Sequence, residues 1–162
     1  MNSAAAMLSA QKPSAGLTIG WAGLTCGAMD ITAALVVYGL VYGVPPVRLL
    51  QGIASGLLGA RAFQGGIATV LLGLLCHFVI AFSAAAVYFA VSRVTPFLVD
   101  CAVTSGALYG VAVYFFMQQV VALSATRKNP FSVQLMLIGV VIHVFCVGLP
   151  IALMVRKFSV SR

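Results

Sequence analysis

Charge is what this sequence of 162 residues has least of. Only 7% of its residues are charged and 62% are hydrophobic, whereas a soluble domain carries roughly 25% charged residues. There are two acidic residues in all, Asp30 and Asp100. So little polar surface cannot coat a water-soluble globule, and the composition therefore indicates a protein whose main solvent is lipid. The length fits one compact unit.

Several motifs that would indicate enzymes or metal proteins are absent from the sequence. The four cysteines form no CxxC pair, so the sequence predicts neither a disulfide framework nor a zinc site. It has no HExxH, no glycine-rich phosphate loop, no acidic metal cluster and no Ser/His/Asp order. These absences favour a non-enzymatic protein, and no catalytic residue is predicted. The start of the chain, MNSAAAMLSAQKPSAG, lacks the basic region of a cleaved signal peptide.

Basic residues give the chain a formal net charge of +7. They are Lys12, Arg48, Arg61, Arg93, Arg127, Lys128, Arg156, Lys157 and Arg162. None of them lies inside a long apolar run, and they flank the runs instead, where cationic side chains set membrane topology and contact anionic headgroups. Because no basic face carries interleaved aromatic residues, the charge predicts a lipid bilayer as the partner and excludes nucleic acid.

Four apolar segments are long enough to cross a hydrocarbon core, which takes about 20 helical residues. They lie at about 19–42, 67–91, 102–123 and 133–155. Because lipid cannot satisfy backbone amides, such segments must be helical. The sequence thus predicts an all-α polytopic membrane protein, with one transmembrane domain at 19–158 between a polar tail at 1–18 and a C-terminal tail at 159–162.

A shorter apolar segment separates the first two spans, within VPPVRLLQGIASGLLGARAFQGG at 44–66. Its apolar centre is too short to cross a bilayer and is bracketed by Arg48 and Arg61. We predict an interfacial or re-entrant helix at about 47–63, with an irregular loop as the alternative. Gly52, Gly56 and Ala60 recur at helical spacing, and this face of small residues is expected to lie against the bundle.

Because the number of predicted spans is even, both termini are expected on one side of the membrane. That side would carry five basic residues and the other side four, so the positive-inside rule predicts cytoplasmic termini. Small residues also recur four apart within the spans, for example Gly23 with Gly27 and Gly106 with Gly110. Such spacing favours close helix packing within the bundle, and it would serve contact with other membrane subunits or a second copy equally well.

Three ionisable residues lie deep inside the predicted spans. Asp30 lies 11 residues into the first, His77 lies 10 residues into the second, and His143 lies 10 residues into the fourth. At ~1.5 Å per helical residue, all three come near the bilayer midplane. Each shares its helix face with small residues, which usually turn toward other helices. The sequence therefore predicts a central polar site formed by Asp30, His77 and His143.

Three roles for such a site remain open. The carboxylate and imidazoles could satisfy one another and simply hold the helices together. His77 and His143 could instead be axial ligands of haem b, which would make the chain a membrane redox protein or subunit. A proton or small-solute path is the third, extended along the third span by Tyr109, Gln118 and Gln119. Pro150 is expected to open the fourth span just past His143.

Four blocks of the sequence resemble the corresponding segments of a set of small bacterial four-span membrane proteins to which no activity is assigned. The blocks are VPPVRLLQGIASGLLG (44–59), LLGLLCHFVIAFSAAAVY (71–88), SGALYGVAVYFFM (105–117) and PFSVQLMLIGVVIHVFCVGLPIAL (130–153). The resemblance covers most of the chain from about residue 30 to 158. It implies a bacterial inner-membrane location and four spans, and it carries no activity.

Overall fold

The computed structural model describes residues 14–125 and 132–160, and all regular structure in these two ranges is helical. The helices are α1 (Ala15–Tyr42), α2 (Pro46–Leu58), α3 (Gly66–Ser92), α4 (Phe97–Asp100), α5 (Ala102–Leu123), α6 (Val133–Ile142) and α7 (Leu149–Val160). A 3₁₀ helix, Gly59–Gln64, follows α2, and a π-helical segment, His143–Gly148, joins α6 to α7. The polar turn predicted at 127–130 lies outside the described residues.

Four helices are long and apolar enough to cross a membrane: Ala15–Tyr42, Gly66–Ser92, Ala102–Leu123 and Val133–Ser159. The last of these, here called the fourth span, comprises α6, the π-helical segment and most of α7. The predicted all-α fold, with four membrane-spanning helices and a short helix after the first, is confirmed.

The ends of α1 are set by local backbone chemistry. The Ser14 hydroxyl accepts a hydrogen bond from the Leu17 amide at 3.2 Å and caps the helix, which therefore begins before residue 19. At the other end Gly43 adopts a left-handed conformation with φ of 64°. Its amide donates to the Gly39 carbonyl at 3.1 Å, which closes the helix. Pro46 then begins α2, since proline is well suited to the first turn of a helix.

Helix α2 packs along the first turns of α3 through a polar and small-residue face. Gln51, Ala54 and Ser55 are its buried residues, and the Gln51 amide nitrogen donates to Thr69 Oγ1 at 3.4 Å. A Cβ built on Gly73 of α3 would lie 2.8 Å from the Leu50 carbonyl carbon, so the two backbones are in close contact.

The buried face of α2 differs from the expected one. A Cβ built on Gly52 has no heavy atom within 4 Å, and Ala60 is exposed. The face of small residues expected to lie against the bundle is therefore not the buried one. Gln51 turns inward because its amide finds a hydroxyl and a carbonyl acceptor on α3.

The spans pack through glycines. Helix α1 contacts α3 where Gly23 meets Phe82 and Gly27 meets Phe78. Helix α5 contacts the fourth span, and a Cβ on Gly110 would lie 2.5 Å from the carbonyl oxygen of His143. In lipid, such close backbone approach is a main source of helix association.

The core lies in one half of the bundle, the half that carries Ser14 and the end of α7. We call it the terminal half, and it comprises residues 15–29, 79–92, 102–112 and 147–160. Its buried cluster is Ala22, Cys26, Ala81, Ala85, Tyr88, Ala102, Val147, Ile151, Ala152 and Val155. In the other half, here called the α2 half, α6 buries no residue, α1 buries none after Ile31 and α5 buries none after Tyr114.

Candidate functional site

Asp30 lies at the boundary between the two halves of the bundle and is partly exposed. It lies on α1 one turn after Cys26 and two turns before Tyr38, and α1 packs against the π-helical segment that carries Cys146. It forms no hydrogen bond or ion pair with any residue in 14–125 or 132–160. Asp30 thus has no direct polar partner in the described structure.

His77 links α3 to α1. Its Nε2 lies 2.9 Å from the carbonyl oxygen of Gly27. Because a carbonyl only accepts, the Nε2–H must be the donor, and in the neutral ring Nδ1 then carries the lone pair. The ring also packs edge-on against Phe78, with 5.4 Å between centroids. The contact ties the two helices one turn before Asp30.

His143 has the opposite arrangement of ring nitrogens. Its Nδ1–H donates to the Gly139 carbonyl of its own helix at 2.9 Å, so the neutral ring presents an unprotonated Nε2. The ring packs edge-on against Tyr114 of α5, with centroids 5.4 Å apart. Tyr114 was not predicted from the sequence. It lies four residues after Gly110 on one face of α5, and this helical spacing is the pattern from which its contact with the fourth span could have been predicted.

The three predicted site residues occupy neighbouring elements, and the described structure shows no hydrogen bond between any two of them. His77 reaches α1 through a backbone carbonyl, whereas His143 bonds within its own helix. Asp30 lies on α1, which packs against the π-helical segment that His143 begins. A shared central polar site therefore remains a prediction.

The fourth span is widened just past His143. The Leu149 amide donates to the carbonyl of Val144, five residues back, and Pro150 has no amide to donate. The bulge predicted from Pro150 is thus a π-helical turn. Its backbone is packed closely by α5, because Gly106 and Gly110 bring that helix into contact with it.

Hydroxyl groups join α3 to α5 in the terminal half, and sequence reasoning identified only one of them. The Tyr109 hydroxyl donates to the Ala84 carbonyl at 2.7 Å. The Tyr88 hydroxyl lies 2.8 Å from Ser105 Oγ and donates to the Leu98 carbonyl. The two tyrosine rings pack edge-on at 5.0 Å. Tyr109 therefore fixes helix packing at this end of the bundle.

The other residues expected to extend a polar line along α5 lie elsewhere. Gln118 and Gln119 are both exposed, near the far end of the helix. They share no described hydrogen bond with Tyr109, whose hydroxyl is directed at α3. A continuous line of polar groups along α5 is therefore not formed by these residues.

The two histidines differ in whether the Nε2 atom is available to bind a haem iron. His143 donates from Nδ1 to a backbone carbonyl and leaves Nε2 open, an arrangement common among metal-ligating histidines. His77 uses Nε2 for the Gly27 carbonyl and would have to release it to coordinate through that atom. No group of three metal-ligating side chains occurs in the described ranges. Haem binding remains an alternative prediction.

Comparison of the chain with protein-family models, with curated proteins and with solved structures gives no match. The resemblance to small bacterial four-span proteins stays a prediction.

Proposed function

We propose that this multi-pass membrane protein is non-enzymatic and handles protons or small polar solutes at Asp30, with His77 and His143 at the same depth of the bilayer. The observation that carries the proposal is the state of Asp30, an acid within a membrane span that has no hydrogen bond or ion pair in the described part of the chain. Ionisable residues at such depth are costly and are candidates for proton and ion pathways.

The other polar groups inside the bundle differ from Asp30, because each has a hydrogen-bond partner. Tyr88, Tyr109 and Ser105 each bond to a backbone carbonyl, and His77 does the same. Groups that serve only to hold helices together are expected to be satisfied in this way. A carboxyl that stays partly exposed and unpaired fits a group that exchanges protons better than one that stabilises the fold.

The test is proton flux into vesicles that contain the purified protein and a pH-sensitive dye, with a potassium gradient and valinomycin as the driving force. Asp30→Asn keeps the size of the side chain and cannot ionise. Asp100→Asn is the matched control, because Asp100 is the only other acid and is exposed at the end of α4. We expect flux above that of empty vesicles for the wild type and the control, and none for Asp30→Asn. Equal flux in all three proteins would refute the role of Asp30.

Haem binding is tested separately with the visible spectrum of protein purified in detergent from haem-replete cells. Because His77 holds its Nε2 on the Gly27 carbonyl, we expect a colourless preparation. A Soret band that disappears in His143→Ala would overturn this expectation and favour the redox alternative.

We further propose a bacterial inner-membrane location with cytoplasmic termini. Arg93, Arg156 and Lys157 lie at the end of the bundle that carries Ser14 and the last turn of α7, and Arg48 and Arg61 lie at the end that carries α2. The positive-inside rule favours the first group as cytoplasmic. Alkaline phosphatase fused after residue 162 should then be inactive, whereas the same enzyme inserted after residue 64 should be active. The reverse pattern would overturn the orientation.

A further inference from the structure

The face of α1 that carries Asp30 is closed toward the terminal half of the bundle. Cys26 lies one turn before Asp30 and is 1% exposed, and Ala22 lies a further turn away and is 0% exposed. The Cys26 thiol contacts the carbonyl of Ala81 at 3.8 Å. Both residues belong to the single buried cluster formed with α3, α7 and the π-helical segment. Water therefore has no route to Asp30 from this side along its own helix face.

Toward the α2 half the same face of α1 is less buried. Ala33 and Ala34, one turn beyond Asp30, are only partly buried. Tyr38, two turns beyond, is 36% exposed. Its ring lies 5.7 Å from that of Tyr42, the last residue of the helix. Phenol groups thus follow Asp30 at intervals up to the end of α1, whereas the closed face carries Cys26, Ala22 and Thr18, all of them buried.

The elements opposite this face bury few residues as well, although Gly139 of α6 packs closely on Tyr114 of α5. Helix α6 buries no residue among its ten, and α5 buries none beyond Tyr114. The polar groups on these elements are Cys146 and His143 in the π-helical segment and Tyr114 of α5, whose ring packs edge-on against that of His143. On α3, His77 is held by the Gly27 carbonyl.

We infer that Asp30 is reached by water from one side of the membrane only, the side that carries α2. The inference rests on the proposed role of Asp30 and adds a direction to it: protons enter and leave the carboxyl through the α2 half, and the core of the terminal half separates it from the other side. Transfer across the whole membrane then requires the packing around Cys26 and Ala22 to change.

The direction is testable with single-cysteine proteins and a membrane-impermeant, positively charged thiol reagent. In a background with all four native cysteines changed to alanine, the informative variants carry one cysteine each. They are the native Cys26, Asp30→Cys and Ala34→Cys. Cys101, which is exposed beside α5, and Gln64→Cys, which is exposed at the end of the 3₁₀ helix, report the two sides. The reagent is added to right-side-out and to inverted vesicles.

We expect Asp30→Cys and Ala34→Cys to react in the vesicles in which Gln64→Cys reacts, and the lone Cys26 to react in neither. Reaction of Asp30→Cys from the side of Cys101, from both sides or from neither would overturn the inference. If Asp30→Cys does not fold, Ala34→Cys against Cys26 makes the same comparison. Labelling does not depend on flux, so a wild-type protein without proton flux refutes the proposed function while the labelling still decides the direction of access.

Discussion

Gly110 determines how closely α5 approaches the π-helical turn, and replacing it with alanine tests that contact directly. A Cβ at this position would lie 2.5 Å from the carbonyl oxygen of His143 and 2.6 Å from the Cα of Val144. Both are backbone atoms, which cannot rotate away as a side chain can, so α5 must move. Insertion of a methyl group into a well-packed contact costs about 1–3 kcal/mol.

The control is Gly20→Ala in α1, where an added Cβ meets no heavy atom within 4 Å. Each replacement also stabilises its helix by about 0.5–1 kcal/mol, because alanine loses less backbone entropy than glycine. This gain cancels in the comparison. We therefore expect the free energy of unfolding of Gly110→Ala to be about 1–3 kcal/mol lower than that of Gly20→Ala.

The assay is reversible unfolding in mixed micelles of dodecyl maltoside and increasing dodecyl sulfate, followed by far-UV circular dichroism. Gly110→Ala should unfold at a lower sulfate fraction than the wild type, and Gly20→Ala at the same fraction or a higher one. If both variants unfold at the same fraction, α5 does not contact the π-helical turn as closely as the structure shows, and the reasoning is refuted.

Three further changes test the remaining contacts, the first two in the same unfolding assay and the third by protease cleavage. His77→Ala removes the hydrogen bond to Gly27 and should lower stability by about 0.6 kcal/mol, up to ~1.7; an unchanged midpoint would argue against that bond. Tyr109→Phe keeps the ring and removes one hydroxyl bond to α3, so a loss of about 0.6 kcal/mol is expected; a more stable variant would contradict it. Gly73→Ala should separate α2 from α3 and expose the α2 segment to added protease, whereas Gly52→Ala should not; equal cleavage of the two would show that Gly73 does not hold α2.

The spans could be predicted from the sequence because lipid leaves an apolar segment of this length only one backbone structure. The second span illustrates this, predicted at 67–91 and observed at Gly66–Ser92. Differences at the ends come from capping, as where Ser14 starts α1 before the long apolar run begins. Length and hydropathy do not describe such single hydrogen bonds.

The partners of the polar residues could not be predicted in the same way. His77 bonds to the backbone carbonyl of Gly27. Because every residue has such a carbonyl, the sequence does not indicate which residue accepts the hydrogen bond. Which carbonyl is used depends on the rotation of α3 about its axis, and small residues on several faces permit more than one rotation. An opening just past His143 was predicted from Pro150, but its form as a π-helical turn in contact with Gly110 depends on where α5 lies.

The position of α2 has a consequence for how the chain is assembled during synthesis. The carbonyl of Gly56 in α2 accepts a hydrogen bond from the amide of Ala125 at 3.2 Å. Ala125 follows α5, so the ribosome makes this partner only after two more spans have been translated. Helix α2 can dock on α3 as soon as the second span is made, because Gln51 bonds to Thr69 of that helix. The bond to Ala125 is therefore a later contact of α2, and a chain truncated before α5 would leave α2 docked on α3 without it.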